Sequence, residues 1–123
     1  MTQRQLEVLL AEWQETLRLQ DWTINARFVS AKDLDGISLA QCKHTIERKI
    51  ATIKILRPKR GEDASPHPRD VESDLVHELL HLHTALFEPS SWESPKGIAI
   101  EQAIDLIAEA LVKLKRSGKK KSR

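Results

Sequence analysis

Tyrosine is absent from this 123-residue chain, and cysteine and methionine occur once each. Aromatic residues make up only 4 % of it. A single thiol, Cys42, cannot close an internal disulfide, which predicts a protein of a reducing compartment. No apolar run approaches the roughly 20 residues needed to cross a bilayer. The first residues, Met1-Thr2-Gln3-Arg4-Gln5, lead into an amphipathic segment and not into an apolar signal core. Together these absences predict a cytoplasmic protein with no membrane contact. The length suits one domain, and 40 % apolar residues permit a modest core.

What is present is charge, unevenly spread. Charged residues make up 31 % of the chain, with a net charge of +2. Residues 115 to 123 hold six basic groups and no acid, leaving 14 basic against 18 acidic residues elsewhere. The plain reading of residues 117–123 is a flexible, solvated basic tail. The sharper reading is a weak contact with nucleic acid through Lys119, Lys120, Lys121 and Arg123.

Hydropathy patterning divides residues 1–116 into six elements of one α+β domain. Thr2 and Gln5 resemble a capping box, and Leu6, Leu9, Leu10, Trp13 and Leu17 recur at helical spacing. A helix is expected over about 3–19. Trp22, Ile24, Ala26 and Phe28 alternate with polar residues as in a half-buried strand. A second strand is expected from Ile37 to Cys42, and a third over residues 50–56, forming a small, mainly antiparallel sheet. A proline-rich loop leads to a helix over about 70–87, with Asp70 as its cap. Ser94-Pro95 opens a last helix that is expected to end near 116, before Gly118. Ile100, Ile104, Ile107, Leu111 and Leu114 mark its expected core side.

The segment Val76-His77-Glu78-Leu79-Leu80-His81-Leu82-His83 contains His-Glu-x-x-His. On a helix His77 and His81 lie one turn apart on one face, so both imidazoles can reach one metal ion. Glu78 is turned about 100° from His77, beside such an ion, where it can take a proton from metal-bound water. Leu75, Leu79, Leu82 and Leu86 form one apolar stripe of this helix, and Val76, Leu80 and Phe87 another. Two histidines and a glutamate on the remaining face of a buried helix are costly unless something satisfies them. Catalytic zinc keeps three protein ligands. Phe87 stands where metzincins and the rRNA-maturation endonucleases need a third histidine. Cys42 lacks the Glu-Gly context of peptide deformylases. His83 points about 240° from His77 and reads as a core or second-layer histidine. The remaining candidates are Glu101, Asp105 and Glu109 on the last helix. Asp74, one turn before the motif, could support the site or simply be a solvated first-turn acid.

His-Glu-x-x-His followed on a later helix by Glu101-Gln102-Ala103-Ile104-Asp105 resembles the gluzincins, the thermolysin-like zinc metallopeptidases. The small layout also resembles short phage- and prophage-encoded metallopeptidase-like proteins. The resemblance implies a minimal zincin-like domain in which His77, His81 and Glu101 bind Zn2+. It implies Glu78 as general base in peptide-bond hydrolysis, with Asp105 orienting a ligating imidazole. Thermolysin-like enzymes stabilise the oxyanion with a Tyr or His from a further domain. Here the candidates are His44, Arg57 or the zinc alone. A peptide substrate is expected to lie along strand 50–56. The missing oxyanion donor leaves a second reading open, a regulatory or binding module on a zincin scaffold.

Overall fold

The computed structural model describes residues 1–35, 38–59 and 68–121, with side chains to Gly118. Helix α1 spans Gln3–Thr16 and is closed at its start by a reciprocal cap. The Gln5 amide donates to the Thr2 hydroxyl at 3.1 Å, and the Thr2 amide donates to Gln5 Oε1 at 2.8 Å. Leu6, Leu10 and Trp13 are its buried side chains. The helix stops short of residue 19 because Arg18 takes a left-handed φ of 61° and turns the chain.

Three strands follow: β1 (Thr23–Val29), β2 (Ala40–Thr45) and β3 (Ile50–Leu56). Their order in the sheet is β1-β3-β2. The β2–β3 pair is antiparallel, while β1–β3 is parallel, so the sheet is mixed and not mainly antiparallel. The chain skips one strand's width after β1, lays down β2, and returns β3 into the gap. Strand β2 begins and ends three residues later than expected, because its pairing with β3 runs to Thr45↔Ile50. The expected start at Ile37 lies outside the described residues. Lys49, in left-handed conformation at φ 51°, closes the turn between β2 and β3.

Helix α2 (Val71–Thr84) packs over β2 and β3, and α1 packs on β1. Asp70 caps α2 by accepting from the Ser73 amide at 3.1 Å. Leu75, Val76 and Leu79 are wholly buried against Ala51, Ile53 and Ile55 of the sheet. Leu86 and Phe87, expected to continue the apolar stripes, fall in a 3-10 turn (Ala85–Phe87) and are exposed. The domain is thus two layers, helices on one sheet face, with the α+β architecture expected.

Helix α3 (Pro95–Lys121) lies against α2. Ser94 caps it, its hydroxyl accepting from the Gly97 amide at 3.1 Å. Gly118 stands inside this helix and not beyond it, so residue 116 is no helix end. Its buried line is Ile104, Ala108 and Val112. Ile107 and Leu114, expected on the core side, are turned outward. Ala108 and Val112 belong to the common core, and their burial sets which face of α3 turns inward. Two members of the basic run are also structural. Arg116 grips Asp70 with two nitrogens at 2.6 and 3.0 Å, and Lys115 reaches the buried Glu72 at 2.5 Å. Trp13 donates to the same Glu72 at 2.6 Å, so three helices meet on one carboxylate. Burial opposes its charge, but Lys115 and the Trp13 hydrogen bond win and hold its pKa below the ordinary value. The side chains of Lys119, Lys120, Lys121 and Arg123, invoked for nucleic-acid contact, lie outside what is described. No helix among the described residues is long and apolar enough to cross a membrane.

Candidate metal centre

His77 and His81 project from the face of α2 that turns toward α3. Their Nε2 atoms lie 3.2 Å apart. Glu101, from the second turn of α3, reaches between them, with its oxygens 2.8 Å from His81 Nε2 and 3.3 Å from His77 Nε2. His77, Glu78 and His81 also each offer an atom within 4.8 Å of the others. The nearest carboxylate to both nitrogens is nonetheless Glu101, since Glu78 stands 3.8 Å from His77 Nε2.

The opposite nitrogen of each ring is held. Asp105, one turn after Glu101, lies 2.7 Å from His77 Nδ1. Glu88 lies 2.6 Å from His81 Nδ1 and also accepts from the Thr84 hydroxyl at 2.9 Å. A carboxylate can only accept, so a neutral ring keeps its proton on Nδ1 and presents a lone pair at Nε2. Two lone pairs and the Glu101 carboxylate then face one another at 2.8 to 3.3 Å. Such a cluster repels itself and calls for a cation in its midst. Ligands of tetrahedral zinc, bound at about 2.0–2.1 Å, stand roughly 3.3 Å apart, so these three side chains fit the ion.

Glu88 was not among the residues singled out in the sequence, where 88–94 reads only as a loop. A signal existed: Glu88 follows His81 by seven residues, two helical turns along the same face. The same loop sets Trp92 edge-on to His81, with ring centroids 5.3 Å apart. It is docked on Gly97, where a Cβ would stand 2.6 Å from the Trp92 Cα and 2.7 Å from the Ser91 carbonyl. No side chain fits at that contact.

Glu78 is buried beside the imidazoles. Burial pushes its carboxyl up to about 7; His77 pulls it down, and Glu101, Asp74 and Glu88 push it further up. That value suits a group that takes and returns a proton near neutrality. Asp74 lines the same cavity. It pairs with Arg69 at 3.0 Å, whose other nitrogen donates to the Leu56 carbonyl at 2.6 Å, and among the described residues it makes no hydrogen bond to an imidazole. Burial raises the Asp74 carboxyl despite that pairing. His83, expected in the core, is exposed instead: it stands near the end of α2 with its ring 2.7 Å from the Leu17 carbonyl, on the side away from the cluster.

These residues form one wall of a cavity of about 660 Å³, and β2 forms the other with Ala40, Cys42 and His44. The Cys42 thiol is pushed up to about 12 by burial and by Glu78 and Glu88, so it stays protonated. His44 Nδ1 is buried and has no hydrogen-bond partner among the described residues. Arg57 is elsewhere, stacked over the Phe28 ring at 4.7 Å and lining a separate cavity. Strand β3 is paired on both sides, so residues 50–56 cannot accept a further strand. The edge strand at the cavity is β2. No family model, no curated protein and no solved structure matches the chain.

Proposed function

We propose that this protein is a zinc-dependent hydrolase of peptide bonds. The observation that carries the reading is the convergence of His77 Nε2, His81 Nε2 and the Glu101 carboxylate, with both Nδ1 positions already held by carboxylates. A zinc ion bound by these three would act as a Lewis acid and make a water acidic enough to attack near pH 7. The chain's own residues do the rest. Asp105 and Glu88 hold the rings in register and raise their basicity. Glu78 takes the proton of the attacking water and returns it to the leaving amine. His44 is the group on the opposite wall able to donate to the oxygen that gains charge; Arg57 is too remote. An extended peptide would add to the unpaired edge of β2, its backbone pairing with residues 40–45 and its scissile carbonyl facing α2.

The test joins metal content to turnover. Zinc-reconstituted protein should hold one zinc per chain and cleave members of a mixed peptide library. Glu78→Gln should keep the zinc and lose about 100-fold or more of the rate. Zinc-loaded wild-type protein that cleaves nothing refutes the hydrolase. A Glu78→Gln variant as fast as wild type refutes the base.

A further inference from the structure

Helix α3 carries more apolar surface than its contact with α2 uses. Roughly 130° round from its buried line runs a second one: Ile100, Ala103, Ile107, Ala110, Leu114 and Ser117. They succeed one another at alternating intervals of three and four residues, which keeps them on one face. Ile107 is 49 % exposed and Leu114 68 %, and Leu106, on the outer margin of the stripe, is 67 % exposed. The stripe contains no charge in a chain that is 31 % charged. It extends roughly 26 Å at 1.5 Å per residue. Lone exposed leucines are ordinary, but a continuous uncharged stripe of this length marks a contact surface.

The stripe alternates bulky and small side chains, and that alternation says what fits it. We propose that α3 pairs with α3 of a second copy of this chain, antiparallel, across a two-fold axis. In a helix pair of opposite direction, positions of the two alternating kinds meet each other. Ile107 then packs on Ala110 of the second copy, Leu114 on Ala103, and Ile100 on Ser117. Each layer sets one bulky side chain against one small one, and the two-fold repeats every contact. A parallel pair would instead stack Ile107 on Ile107 and Ala103 on Ala103, crowding one layer and leaving the next empty. Leu106 comes beside the aliphatic stem of Lys113 of the second copy, which covers it while the ammonium stays in water. The members of the stripe lie roughly 100° to 180° round the helix from Glu101 and Asp105 at 100° per residue, so pairing leaves the cleft open. The pairing does not rest on the hydrolase reading.

Sedimentation equilibrium of the full chain tests it. A reversible dimer is expected, forming in the micromolar range, and a monomer persisting to about 300 µM overturns the pairing. Ile107→Glu should weaken the dimer at least about 100-fold, because it buries an unpaired carboxylate in the contact. Its circular dichroism should be unchanged, since the side chain is half exposed in the single chain. Ala103→Leu should weaken the dimer too, because Leu would meet Leu114 of the second copy. Ala103→Leu combined with Leu114→Ala exchanges bulky for small in those layers and should restore it. A dimer indifferent to Ile107→Glu, or an exchange that restores nothing, overturns the proposal.

Discussion

At the scale of single residues, the site turns on protons held away from two nitrogens. Glu88 does for His81 what Asp105 does for His77, so the two carboxylates should have similar weight. Glu88→Gln keeps the side chain's size but offers the ring either a carbonyl or a competing N–H. It should weaken zinc binding by about 10- to 100-fold, the usual cost of losing such a support. Competition against a fluorescent chelator measures this, and an unchanged affinity would show that Glu88 merely neighbours His81. Glu78 makes a separate prediction for the metal-free protein. Its folded pKa, about 7, is raised above the ordinary 4.5, chiefly by burial. The fold therefore binds this proton more tightly than the unfolded chain. Stability contributed by the protonated form is complete below about 4.5 and is lost as pH rises through 7. Glu78→Gln has no charge to bury. With zinc removed, the variant should melt above wild type at pH 8, by on the order of 3 kcal/mol at most, and match it near pH 4. Equal melting at both pH values would show that the buried carboxyl is already satisfied.

At the scale of elements, α3 shows what a sequence can and cannot disclose. Its start at Ser94-Pro95 was legible, because a hydroxyl cap and a proline at the first position act locally. Glu101 and Asp105 were legible as a pair, because their spacing is a helical turn. The rotation of the helix was not. Hydropathy favours Ile107 and Leu114 as core, yet the inward positions include Ala108, a residue too small to stand out in any apolar pattern. Lys115 and Arg116 read as the start of a solvated basic run. Their partners, Glu72 and Asp70, lie more than 40 residues earlier, and no local pattern links charges across that distance. Glu88 was hidden in another way. A residue just past a helix reads as loop, although a 3-10 turn carries it along the same face. Strand β3 shows the opposite case: its β-branched alternation gave its limits, Ile50–Leu56, while its two neighbours followed from pairing alone.

At the scale of the whole molecule, the site is assembled from segments spread over most of the chain. The proposed ligands come from α2 and α3, their supports from α3 and the loop between them, and the opposite wall from β2. The position of β3 sets a timetable for this assembly. Strand β3 meets β2 across a turn of only a few residues, whereas Thr23 of β1 must find Ile50, 27 positions further on. Closing the shorter loop costs less entropy, so the hairpin can form first and offer its other edge to β1 afterwards. On leaving a ribosome, α1 and β1 emerge before β3 and have no strand to join until residue 56 is free. The amino-terminal quarter of the chain therefore waits on the middle. Pulsed hydrogen exchange during refolding should find the β2–β3 amides protected before those of β1. Earlier protection in β1 would mean that α1 and β1 nucleate the fold by themselves.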